Sequence, residues 1–243
     1  MILQVSNLTK AFGGVVAVKN LSFEVSAGER LGIIGPNGAG KTTTFNVIGG
    51  EYRPTAGSVH LDGERIDGLK PHDVNQRGIA RTFQIVRVFG QLTVHDHVLT
   101  GLVARRPGFK VAPGQEEEVD GLLALTGLQR LRDVEARNLT TAYKKRLELA
   151  TALATKPKLL LLDELMAGLN LVEIDESMQL LRRINEEMRI TLLIVEHVMR
   201  AIMGLCHRII VLHYGEKIAE GTPQEVAGNR KVIDAYLGEE AYA

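Results

Sequence analysis

Residues 1–31 alternate short apolar and β-branched runs (LQVS, VVAV, LSFEV) with turn residues (GG, KN, SAGE), the pattern of an antiparallel sheet. SVHLDGERI continues this layer as a hairpin, with Asp62-Gly63 suited to its tight turn. Three other runs behave differently. RLGIIG, KLLLLDE and ITLLIVEH are continuously apolar and adjoin helical stretches, which predicts parallel strands buried on both faces. From approximately 87 to 155 the strand signals vanish, and VHDHVLTGLVARR, EEEVDGLLALTGL and AYKKRLELATALAT predict an inserted helical subdomain. Within it, RRPGFKVAPGQ reads as a loop between two helices, and Glu116-Glu117-Glu118 as a solvated helix start favoured by the helix dipole. RIIVLHYGEKIAEGT predicts another hairpin. Thr222-Pro223-Gln224-Glu225 is a capping box that opens a C-terminal helical extension over approximately 222–243. The expected architecture is a single α/β domain over 1–243, with a mixed, largely parallel core sheet and an N-terminal antiparallel β layer.

Composition narrows the function classes. Lys plus Arg equals Asp plus Glu at 29 each, so the overall field offers no general attraction to nucleic acid or an anionic membrane, and no nucleic-acid partner is expected. Cys206 is the only cysteine, which excludes an internal disulfide and a cysteine zinc cluster; it reads as a small buried apolar residue near a helix end. No apolar run approaches the roughly 20 residues of a membrane helix, so the chain is not expected to span a membrane itself.

The chemistry is concentrated after the apolar runs, where ligands bind in parallel sheets. Gly35-Pro36-Asn37-Gly38-Ala39-Gly40-Lys41-Thr42, followed by Thr43, matches G-x-x-x-x-G-K-[ST] between a strand and a helix. The glycines let backbone N–H groups turn inward on phosphate oxygens, and the helix N-terminus adds positive potential. Lys41 is expected at the β- and γ-phosphates and Thr42 on magnesium. Asp163 closes the leucine run, where a carboxylate can hold Mg²⁺ through water, and Glu164 is expected on the opposite side of the strand axis, free to orient or deprotonate attacking water.

These residues resemble an ABC-type ATPase, a P-loop NTPase, over almost the whole chain and in that family's motif order. The resemblance implies ATP and Mg²⁺ as cofactors and hydrolysis to ADP and phosphate. It makes Glu164 the catalytic base, Gln84 in RTFQ a ligand of magnesium and the attacking water, and His197 in VEHVM a contact to the γ-phosphate. It places Asn170 in AGLN at the loop after the carboxylates and Phe12 in KAFGG against adenine. Read alone, Phe12 would equally be a packing residue, His197 structural, and Gln84 an exposed polar side chain near a strand end.

Leu139, Thr140, Thr141, Ala142 and Tyr143 occupy the position of the family's LSGGQ signature, which covers the nucleotide of a neighbouring subunit in a head-to-tail dimer. Thr140 keeps a hydroxyl donor, whereas Thr141 and Ala142 replace glycines, so close approach and any positive φ become harder. Leu165 stands where the family has proline, which bears on loop rigidity. Together with AGLN and the terminal VIDAYLG, the motifs resemble ATP-binding subunits of branched-chain amino-acid importers, the LivG type. That implies a homodimer or a heterodimer with a related subunit, separate permease subunits, and a cytoplasmic position at the inner face of the membrane. A soluble ABC ATPase and a nucleotide-sensing module that does not hydrolyse are the other readings.

Overall fold

The computed structural model describes residues 1–104 and 114–240; the loop expected at RRPGFKVAPGQ lies, apart from its last two residues, outside them. β1 (Leu3–Phe12) and β2 (Val15–Val25) form a long hairpin turned at Gly13-Gly14. The VVAV and LSFEV runs therefore share one strand. The Lys19-Asn20 break between them is absorbed as a bulge, with Asn20 at φ 50° and a register shift opposite Leu8 and Lys10. β3 (Arg30–Ile34) leaves this layer, and β4 (Ala56–Leu61) returns to pair with β1. β5 (Glu64–Arg65) completes the four-stranded order β2-β1-β4-β5 through a turn in which Asp62 and Gly63 both have positive φ, at 49° and 82°.

The second sheet contains β3, β6 (Ile79–Arg81), β7 (Leu159–Asp163), β8 (Thr191–Val195), β9 (Arg208–His213) and β10 (Glu216–Gly221), in the order β10-β9-β3-β8-β7-β6. Only β10 runs antiparallel, as the hairpin partner of β9. Its central strands explain their own sequence. Leu159, Leu161, Leu193 and Val195 face a core shared with the antiparallel layer, while Leu160, Leu162, Leu192 and Ile194 face a second core under the helices. With both faces covered, the strand interiors are apolar throughout, and polar residues stand only at the ends, Asp163 closing β7 and Thr191 opening β8.

α1 (Lys41–Ile48) follows β3, and the short α2 (Pro71–Arg77) precedes β6. Between β6 and β7 the chain leaves the sheet and forms α3 (Val94–Ala104), α4 (Gln115–Thr126) and α5 (Thr141–Ala154), which pack on one another. Glu116 and Glu117 are exposed in the first turn of α4, where Glu116 also bonds His95 and Arg132. α6 (Leu171–Glu187) and α7 (Met199–Leu205) flank β8, and α7 ends at the buried Cys206, whose thiol burial pushes up to about 12. α8 (Pro223–Ala227) starts with both bonds of the Thr222–Glu225 capping box, and α9 (Arg230–Glu240) follows.

The double-sided burial of β7 gives a direct test. Leu161→Ala, at a fully buried position, is expected to cost about 2–5 kcal/mol of stability, read from denaturant unfolding.

Candidate active site

The phosphate cradle is wrapped too tightly for side chains at its two structural glycines. Gly35 has φ 151°, and a Cβ there would lie 2.1 Å from the Leu212 carbonyl oxygen. Gly40, the residue before α1, has φ 98°, and a Cβ would stand 2.5 Å from the Ala17 carbonyl oxygen. α1 carries no acidic residue in its first turn, so its N-terminal positive potential is left for an anion. Lys41 is buried and arches back, donating to the carbonyls of Gly35 at 2.6 Å and Pro36 at 2.8 Å.

Asn37, Gly38, Ala39, Gly40, Lys41, Thr42 and Thr43 line a cavity of about 440 Å³, and Phe12, Gln84, Glu164 and His197 complete its wall. Gly35 and Pro36 sit behind that wall, where they hold Lys41. Phe12 is 44% exposed, which removes it from the core; its ring lies edge-on to Tyr52 with centroids 5.2 Å apart, and the Lys10 ammonium stands 4.8 Å from its centroid.

Asp163 ends β7 on a neighbouring cavity of about 380 Å³, which shares Thr42 and Gln84 with the first. Arg81 donates to its Oδ2 at 2.8 Å, while the buried Oδ1 has no hydrogen-bond partner. Burial pushes the Asp163 carboxyl up, against the pull of the Arg81 guanidinium. An unmatched carboxylate oxygen beside a hydroxyl and an amide fits a hard divalent cation. Among the described residues no group of three or more His, Cys, Asp or Glu could hold a metal alone. Magnesium commonly takes one or two carboxylates and completes its shell with phosphates and water.

Glu164 departs from the strand-alternation reading. The strand has ended, and Glu164 adopts φ 52°, a left-handed conformation that costs an ordinary residue about 1–2 kcal/mol. Its N–H donates to the Val195 carbonyl at 2.8 Å. Its carboxylate receives Gln84 Nε2 at 2.8 Å and pairs with His197 Nε2 at 2.6 Å. Gln84 and His197 thus converge on Glu164.

The signature residues lie elsewhere. Leu139 is buried in the helical core, and Thr140 caps α5, its hydroxyl accepting from the Tyr143 N–H. Thr141 opens the helix and Ala142 follows. No residue from 139 to 143 has positive φ, so the strain expected from replacing glycine does not arise. Asn170 accepts from the N–H groups of Val172 and Glu173 as the cap of α6. Within one chain none of these residues lines the phosphate cavity.

The burial of several charges at the site escaped sequence reasoning. Arg81 bonds Asn46, Glu51 and Asp163. Glu148 of α5 accepts the Arg87 N–H at 3.2 Å. Glu196 accepts the Met166 N–H at 2.6 Å, and Lys145 donates to the carbonyls of Glu164 and Ala167. On a helix, KKRLELA offers an amphipathic pattern, and nothing local marks the second lysine as the buried one.

The fold and this site define a nucleotide-binding domain of the P-loop class. A family model for the ABC transporter domain matches residues 18–167, and a model for branched-chain amino acid ATP-binding cassette transporters matches residues 216–242. The chain is 40% identical over 254 residues to the high-affinity branched-chain amino acid transport ATP-binding protein LivG of Salmonella typhimurium, with 98% of each chain covered. Among solved structures it resembles the ADP conformation of MJ1267, an ATP-binding cassette of an ABC transporter (TM-score 0.89, 29% identity, 98% of each chain). It also resembles the dimeric structure of MJ0796, a bacterial ABC transporter cassette (TM-score 0.83, 28% identity, 91% of this chain and 99% of the other). The chain belongs to the ATP-binding family of ABC transporters.

Burial pushes Glu196 up to about 7, against the Met166 amide and the Lys145 ammonium. Between the ordinary glutamate range and that value the folded chain holds a proton that the unfolded chain releases, so this group makes stability fall as pH rises. Glu196→Gln keeps an acceptor for Met166 and removes the titration. Its urea midpoint is expected to fall less than the parent's between about pH 5 and about pH 7.5.

Proposed function

We propose that the chain hydrolyses ATP and delivers the resulting opening and closing to separate permease subunits that import branched-chain amino acids. The observation that carries the hydrolytic reading is Glu164, held by Gln84 and His197 on the wall of the phosphate cavity. In this reading the α1 N-terminus and the cradle N–H groups bind the phosphates, with Lys41 swinging from its two carbonyls onto the β- and γ-oxygens. Phe12 offers a ring for adenine. Glu164 takes the proton from a water that attacks the γ-phosphorus in line, and the bond to the bridging oxygen breaks with its electron pair leaving on ADP. His197 and Gln84 fix the direction of the carboxylate. Magnesium, held by Thr42, Gln84 and Asp163 where the orphan Oδ1 waits, would offset charge on the phosphate oxygens.

The signature segment lines no part of the phosphate cavity in its own chain, which supports a dimer in which Thr140, Thr141 and Ala142 at the start of α5 cover the neighbour's γ-phosphate. Thr140 can accept from Tyr143 and still donate its own proton. Asn170 would meet the same interface through the loop it terminates. The partner cassette is a second copy or a related subunit.

No helix among the described residues is long and apolar enough to cross a membrane, so the reading requires permease subunits. A surface for them lies just beyond Gln84. Ile85 and Phe89 are 82% and 65% exposed, and Phe89 borders an open cavity of about 480 Å³ with Gly90, Gln91, Leu92 and Thr100. Exposed apolar groups of this kind favour a protein partner. Docking there would place the chain at the inner face of the membrane and put Gln84 within the same loop as the contact. The amino-acid substrate is supported by likeness to LivG and by the match over 216–242.

Glu164→Gln should bind ATP without turning it over. Size-exclusion light scattering with Mg-ATP is expected to show monomer converting to dimer. A persistent ATP-loaded monomer would contradict self-pairing and point to a different partner cassette.

A further inference from the structure

We propose that Lys145 is a positioning residue through which the Thr140–Ala142 end of α5 sets the backbone of Glu164 in the same chain. The inference rests on the hydrolytic reading of Glu164 and goes beyond it, because it joins the segment facing a neighbour's nucleotide to this chain's own catalytic carboxylate.

Lys145 lies one turn after Thr141, on the same face of α5. Only 6% of it is exposed, an uncommon state for lysine. Its ammonium donates to the Glu164 carbonyl at 3.1 Å and to the Ala167 carbonyl at 2.6 Å. Those two bonds bracket the turn that holds Glu164 at φ 52°. Two further bonds complete the clamp, from the Glu164 N–H to Val195 at 2.8 Å and from the Met166 N–H to Glu196 at 2.6 Å.

This clamp has a reason to exist. Leu165 occupies the position at which a proline ring would restrict the backbone, and its side chain is buried instead beside Ala142, Lys145 and Leu149. The turn is therefore held by noncovalent bonds, and the pair of carbonyl bonds comes from α5 itself. Four residues of helix span about 6 Å. A displacement of the exposed N-terminus of α5 on nucleotide engagement is carried as a rigid turn to Lys145 and from there to the peptide of Glu164. The carboxylate on which Gln84 and His197 converge moves with it. Each nucleotide then biases hydrolysis in the chain that covers it as well as in the chain that binds it.

Lys145→Met keeps the apolar stem and removes the donors, and Lys145→Arg keeps a cation. The test measures steady-state ATPase of each variant, and ATP-driven dimerisation by light scattering with Glu164→Gln added to each. For Lys145→Met, kcat is expected to fall about tenfold or more, as misplacement of a catalytic group does. KM for ATP and dimerisation should stay near the parent's, the parent's Hill coefficient should drop towards one, and Lys145→Arg should recover most of the rate. Lys145→Gln gives the same comparison if the methionine variant fails to fold. Turnover and cooperativity equal to the parent's would overturn the proposal, as would a loss of dimerisation and thermal stability in step with kcat. A parent chain with no Glu164-dependent hydrolysis would instead overturn the functional reading, and the inference with it.

Discussion

The structure depends on how closely the turn between β3 and α1 is pressed against its neighbours. A methyl group at Gly35 would enter the Leu212 carbonyl of β9, and one at Gly40 would enter the Ala17 carbonyl of β2. The cradle is therefore seated where the parallel sheet and the antiparallel layer meet. From that seat, α1 starts at the carboxyl rim of the sheet, and the segments leaving β6, β7 and β8 bring Gln84, Glu164 and His197 to one cavity wall. Close backbone approach is the constraint; the direction of α1 and the converging side chains follow from it.

That dependence explains what could be read in advance. The continuously apolar runs were legible because β7 and β8 feed alternate residues into two separate cores, so that polar side chains are left to the strand ends, at Asp163 and Thr191. The cradle was legible because its spacing is itself the geometry. Other features were not local. The break at Lys19-Asn20 looked like a turn between strands, and only pairing with β1 makes it a bulge within β2. β6 has three residues and α2 seven, too short for periodicity to show, and both are held by their neighbours.

The burial of these charges was illegible for the same reason. Arg81 earns its position only when β6 lies beside β7 and brings it to Asp163. Glu148 and Glu196 each leave one carboxylate oxygen unmatched, and burial pushes both up to about 7. Unpaired buried charges are costly, and both carboxyls stand here beside the Lys145 ammonium, with Arg87 also near Glu148. A helical pattern can say that one face of α5 is buried, but the ionic partners come from the loop after β6 and the end of β8.

The unusual LTTAY segment also takes its meaning from context. Glycines would be needed if its backbone required left-handed geometry, and it does not: Thr140 is extended at φ −66° and ψ 164°, and α5 begins directly behind it. What remains for binding an anion is a capped helix N-terminus with its N–H groups, and these do not depend on the side chain. The residue held left-handed against its side chain is Glu164, at the end of a strand two away from the cradle in the same sheet. Backbone strain does not fall on this segment; it sits at the Glu164 carboxylate, where Val195, Glu196 and Lys145 hold the turn from three sides. Threonine and alanine are thus compatible with the first turn of α5, and the same helix holds the Glu164 loop through Lys145.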